Sequence, residues 1–161
     1  MLSDSYIVPE CIVQPGSFGG LMALYEANFI KFFRLVGESN LTHQTYRSYT
    51  DRDCDLHLCI DSRSKYTRVF RLTYLFEDPQ GPVAEPDLSL KIYLDARMTE
   101  VLSWSGQHRH DFLNSLVDRF GRELDRRWTR NMMLGKWLDY LLDRGHSFRP
   151  ADVAAMLPAE L

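Results

Sequence analysis

Residues 87–105 read DLSLKIYLDARMTEVLSWS, and their period decides the fold class. Leu88, Leu90, Ile92 and Leu94 alternate with Ser89, Lys91, Tyr93 and Asp95. That period of two puts one side of an extended chain in a core and the other in water. Residues 95–98 fit a tight turn into TEVLSWS, so two antiparallel strands in succession are expected. Within the second strand, Met98, Leu102 and Trp104 share a parity that predicts an inward face, and Glu100 shares it with them.

The same period extends toward the amino terminus. In CDLHLCI (54–60) the residues Leu56, Leu58 and Ile60 alternate with Asp55, His57 and Cys59. In RVFRLTYLFE (68–77) Phe70, Leu72, Tyr74 and Phe76 share one face, and Arg68 shares their parity. With a weaker strand over 43–50, five half-buried antiparallel strands are expected, arranged most simply as a meander.

Outside this block the period is helical. Leu21, Leu24, Tyr25, Phe29, Phe32, Phe33, Leu35 and Val36 cover about half of a helical wheel, with Lys31 and Arg34 opposite and Gly37 as a stop. Toward the carboxyl terminus Phe112, Leu116, Phe120, Leu124 and Trp128 recur every four residues. Leu134, Trp137, Leu138, Leu141 and Leu142 then form a second apolar arc that ends at Gly145. Helix, strands, then helices predicts an α+β domain: an antiparallel sheet with amino-terminal and carboxy-terminal helices packed on one face. The expected divisions are an irregular arm over 1–20, a single domain over 21–145 and a tail over 146–161.

Composition narrows the class without naming an activity. A chain of 161 residues with 45% hydrophobic and 25% charged residues is long and apolar enough to bury a core. A net charge of -3 gives no overall pull toward nucleic acid or anionic membrane. The arginine run of RFGRELDRRWTR (119–130) is interleaved with acids and reads as a salt-bridged helix surface, which disfavours nucleic-acid binding. No signal-peptide pattern or membrane-length apolar run is found, and three cysteines without CxxC spacing suit a reducing compartment, so a cytoplasmic location is expected.

Chemical motifs are tested with negative results. DRDCD (51–55) opens like a calcium loop, but Leu56 stands where glycine is needed and Ser62 where glutamate is needed. A solvated turn is the reading there. His108, His110 and Asp111 in HRHD lack a further ligand nearby in sequence and read as exposed residues near a helix start. PGSFGG (15–20) lacks the spacing and lysine of a phosphate loop, and there is no GxSxG elbow. Neither a metal nor a cofactor is expected.

Polar residues in apolar places are more informative. Asn28 falls inside the arc of the first helix, and Asn131 falls beside Leu138 and Leu142 on the last. With Arg68 and Glu100 they make four polar side chains that must pair or reach an opening, because an unpartnered buried polar group costs about 1–3 kcal/mol. In one reading the asparagines tie the terminal helices to the sheet and Arg68 pairs with Glu100. In the other, all four line a pocket at the helix–sheet junction for a small anionic ligand such as a nucleotide. The polar sheet face, with His57, Arg71, Lys91, Tyr93 and Asp95, is the alternative place for function, presented to a protein partner or to a second copy.

YEANF in the first helix, KYT before a long strand, LKIYLDARMTEV across a strand pair and NMMLGKWLDYLLDRG at the end together resemble the YqiB-like family of small proteobacterial proteins of unknown function. The resemblance covers about residues 21–145. It falls on Glu26, Asn28, Tyr66, Thr67, Tyr93, Asp95, Ala96, Glu100, Val101, Asn131, Leu134, Trp137 and Leu138. Where that family shows a Tyr-Pro-Asn turn and an Asp-Glu-Lys segment, this chain has SLVDRFGRELDRR, which makes it a divergent member. The resemblance implies no activity, substrate or cofactor. On sequence, a non-enzymatic interaction or accessory protein is the leading expectation and a binder of a small anion the alternative.

Overall fold

A computed structural model of the chain describes residues 17–37, 41, 43–105, 110–120 and 126–149. Its elements are α1 (Phe18–Val36), β1 (Thr45–Ser48), β2 (Leu56–Arg63), β3 (Thr67–Phe76), β4 (Val83–Tyr93), β5 (Met98–Ser105), α2 (Asp111–Phe120) and α3 (Arg126–Asp143). The strands form one antiparallel sheet in the order β1-β2-β3-β4-β5, the expected meander, and the helices pack on one face.

α1 begins three residues before Leu21 because Ser17 caps it, its Oγ accepting from the Gly20 N–H at 3.0 Å. It ends where Gly37 takes a positive φ of 82° and donates its N–H to the Phe33 carbonyl. The buried stripe of α1, including Leu24, Phe29, Phe32 and Leu35, meets Leu56, Leu58, Ile60, Phe70, Leu72, Leu88, Leu90 and Ile92 from the sheet. Leu134, Trp137, Leu138 and Leu141 of α3 complete the core. The chain after Gly145 joins the same core, since Phe148 is fully buried and its N–H bonds the Leu35 carbonyl at 2.7 Å. Residues 1–16 and 150–161 of the expected arm and tail lie outside the described residues.

Two irregularities in the sheet correct the alternation read from sequence. Leu90 pairs with Val101 but Ser89 pairs with Ser103, so Leu102 is an extra residue on β5. The inward residues of β5 are therefore Thr99 and Val101, followed by Trp104 beyond the bulge. Glu100, expected inward, instead pairs with Lys91 on the opposite face. On β2, Ile60 pairs with Phe70 but Ser62 pairs with Val69, which makes Asp61 the extra residue and brings Arg63 opposite Arg68.

The terminal helices are joined by the two asparagines, both fully buried. Asn28 Nδ2 donates to the Asn131 carbonyl at 2.8 Å, and Asn131 Oδ1 accepts from the Val101 N–H at 3.0 Å. The tie to β5 thus runs through the backbone of Val101, not through Glu100. It depends on close approach of the helices at Gly135, where a Cβ would stand 2.8 Å from Asn28 Oδ1. Alanine at an open helical site gains about 1 kcal/mol over glycine. Here that gain is opposed by overpacking worth about 1–3 kcal/mol, because Asn28 is locked by its bond to Asn131. Gly135→Ala is expected to lower the unfolding free energy in urea titrations; a rise would show that Asn28 swings aside at no cost.

Candidate functional site

The densest polar cluster is built on Asp53, in the turn between β1 and β2. Its carboxylate side chain is 1% exposed. Four donors converge on it: Tyr74 O–H from β3 at 2.7 Å, His110 Nε2 at 2.7 Å, His146 Nε2 at 3.0 Å and the Cys54 backbone N–H. Burial by itself would raise the carboxyl's pKa, but these hydrogen bonds outweigh it and hold Asp53 well below the usual carboxylate range.

The surrounding bonds fix the proton positions. His110 precedes α2 and its Nδ1 accepts the Phe112 N–H at 3.2 Å, so the ring proton sits on Nε2 and is donated to Asp53. His146 Nδ1 lies 3.0 Å from Ser48 Oγ, which also accepts the Ser147 N–H at 3.0 Å. Tyr74 oxygen accepts the Trp137 indole N–H at 3.1 Å, while the His110 ring stacks on Tyr74 with centroids 4.8 Å apart. Burial pushes the Tyr74 hydroxyl strongly upward, so it stays protonated.

Ser48, His146 and Asp53 are in contact in the order of a nucleophilic triad, yet the chemistry of one is missing. Ser48 Oγ is fully buried and occupied by the Ser147 N–H, and His146 is 3% exposed. A substrate carbonyl has no approach to that oxygen. Asp53, Cys54 and His110 also bring ligand atoms within 4.8 Å of one another. A divalent ion there would have to displace the Asp53–His110 bond. Burial and the adjacent Asp53 and Asp55 push the Cys54 thiol up, so it would also have to give up a proton to bind. The cluster is a saturated internal network joining the β1–β2 turn, β3, the start of α2 and the segment after α3.

Two sequence readings are corrected by it. DRDCD is not wholly a solvated turn: Asp55 pairs with Arg47, but Asp53 is interior. His110 does stand at a helix start, yet its side chain is only 10% exposed, whereas His108 lies outside the described residues. The acidic and basic side chains of 118–126 also lie outside them.

The four residues read as a pocket are not brought together. The Asn28 amide nitrogen and the Asn131 side chain are taken up by hydrogen bonds of the tie described above, which leaves Asn28 Oδ1 buried without a partner among the described residues. Glu100 points to the other face, where Tyr93 donates its hydroxyl to one carboxylate oxygen, while Tyr25 of α1 donates to the second; the bond to Glu100 pushes the Tyr93 hydroxyl up to about 12. Arg68 keeps the inward parity, but it donates to the Ser64 and Thr67 carbonyls and does not pair with Glu100. It lines a cavity of about 100 Å³ between the end of α1 and the sheet. That volume is well below the roughly 300 Å³ or more typical of drug-sized ligand sites and does not accommodate a nucleotide.

Of the residues read as an interaction face, His57, Arg71, Lys91 and Tyr93 lie on one side of the sheet. His57 pairs with Arg47 and with Thr73, Arg71 pairs with Cys59 and Ser89, and Lys91 pairs with Val69 and Glu100, all opposite to the buried row. Tyr93 closes this face, and Asp95 lies in the following turn, where its carboxylate accepts the Ala96 N–H at 2.9 Å. Arg71 holds Asp61 through both carboxylate oxygens, and Lys91 lies over the Tyr93 ring.

No helix among the described residues is long and apolar enough to cross a membrane. Comparison with curated proteins and with solved structures gave no match. Residues 31–147, from the middle of α1 to the buried segment after α3, match a family model, and the chain belongs to the family described as "Protein of unknown function (DUF1249)".

Proposed function

We propose that the protein is a non-enzymatic interaction or accessory protein that presents the outer sheet face to a protein partner or to a second copy of itself. The observation that carries this reading is where the reactive-looking groups are. Asp53, Ser48, Tyr74 and His146 are buried and bonded to one another, while His57, Arg71, Lys91 and Tyr93 stand on the face that carries no helix. Burial and the Arg47 charge push the His57 imidazole down, so it offers that face a neutral hydrogen-bonding group at neutral pH. Arg71 and Tyr93 are residue types that contribute strongly to interfaces, and each is already oriented by a neighbour. A cytoplasmic setting and the YqiB-like character of YEANF and LKIYLDARMTEV belong to the same proposal. Free Cys54 and Cys59 support the setting.

A photo-crosslinking side chain at Arg71 is expected to give one discrete adduct in cells, and the same probe at Asp139 on the exposed side of α3 is expected to give none. Lys91→Glu should abolish the Arg71 adduct while the protein stays folded, its melting temperature lowered a little because the change sets a carboxylate opposite Glu100. Equal adducts at both positions, none at either, or an Arg71 adduct indifferent to Lys91→Glu would overturn the proposal.

A further inference from the structure

Arg63 and Arg68 are direct cross-strand partners at the end of the β2–β3 hairpin. Like charges in directly opposed positions destabilise a strand pair. The Asp61 bulge creates this opposition, because without the extra residue Arg63 would point to the other face. No carboxylate relieves it among the described residues. Arg63 donates to the His43 carbonyl and Arg68 to the Ser64 and Thr67 carbonyls, while Asp61 is held by Arg71. Both arginines border the same cavity, whose walls are apolar: Phe32, Val36, Ile60, Phe70, Ile92 and Leu94.

We propose that this end of the sheet binds a small monocarboxylate with a short apolar tail, the carboxylate lying between the Arg63 and Arg68 guanidiniums and the tail entering the cavity. An anion there turns a repulsive pair into a two-sided clamp, and guanidinium donors match a carboxylate's geometry. The tail length follows from volume. A cavity of 150 Å³ holds benzene, so about 100 Å³ admits roughly four carbons. The apolar walls distinguish this ligand from a bare inorganic anion, which would gain nothing from them. The site is independent of the outer sheet face, and either proposal can fail alone.

The probe is sodium isovalerate, followed by amide chemical shifts in the folded protein, with isovaleramide and inorganic phosphate as comparisons. Isovalerate should bind saturably, with shifts at Val36, Ile60 and Ile92. Isovaleramide should bind at least about tenfold more weakly, the loss expected for a charge-assisted contact. Arg68→Gln should weaken isovalerate about as much. Arg63→Gln, at an exposed position whose fold contact is one carbonyl, should do the same if Arg68→Gln disturbs folding. Val36→Phe should block the tail while leaving phosphate unaffected. Absence of saturation up to about 20 mM, equal binding of the amide, or phosphate binding as tight as isovalerate would each overturn the proposal.

Discussion

Asp53→Ala is expected to lower the unfolding free energy by about 3–5 kcal/mol, the range for removing one partner of a buried charged network. Asp53 accepts from Tyr74, His110, His146 and the Cys54 backbone, and alanine leaves the first three donors without this acceptor in the interior. The loss falls on four segments at once, so it should appear as a lower midpoint in chemical denaturation with an unchanged slope. For a domain of this size the melting temperature should fall by about 10 °C.

The same carboxylate makes stability depend on acid. Its folded pKa lies below its unfolded value, so the native state binds fewer protons in between and stability rises with pH there. The contribution is complete above the unfolded value of about 4 and is lost as the pH falls from there toward the folded value. Asp53→Asn removes the titration while keeping the shape. The difference in melting temperature between wild type and Asp53→Asn should therefore have reached its full size by about pH 5 and shrink as the pH is lowered toward 2. A difference that stays constant over that range would mean that Asp53 is not the charged acceptor of the network.

The sheet is legible in sequence because its inward residues obey a period of two over long stretches: Leu56, Leu58, Ile60; Phe70, Leu72, Tyr74; Leu88, Leu90, Ile92. Alternation cannot register an extra residue in one strand of a pair. Leu102 and Asp61 are such residues, and each reverses the facing of the positions beyond it. An inward Glu100 rests on sharing the parity of Leu102 and Trp104, which lie on or beyond the bulge. The asparagines are legible for the opposite reason, since a helical wheel has no bulges to upset it and Asn28 had to be buried. The Asp53 network leaves no local trace. Positions 53, 74, 110 and 146 are joined only by the tertiary fold, and an aspartate in DRDCD carries no mark that separates it from its solvated neighbours.

Asn131→Ala should cost about 2–4 kcal/mol and more than Asn28→Ala, combining a lost buried hydrogen bond with a small cavity. β5 is the last strand of the sheet, so the Val101 N–H that points away from β4 has no further described strand to receive it. Asn131 Oδ1 accepts it, and Nδ2 of the same side chain donates to the Arg127 carbonyl one turn back on α3. Alanine abandons a buried backbone donor on the sheet. By contrast, Asn28→Ala removes a donor from the Asn131 carbonyl, which sits within α3 and retains the helix's own bonding, so about 1 kcal/mol is expected there. The order of the two costs therefore tests which bond carries the tie. Amide exchange at Val101 adds a local readout, since it should accelerate in Asn131→Ala and remain slow in Asn28→Ala. If Asn28→Ala proved the costlier, helix-to-helix contact would be the dominant element, and the edge of β5 would be held by packing of Trp104 against Trp137 instead.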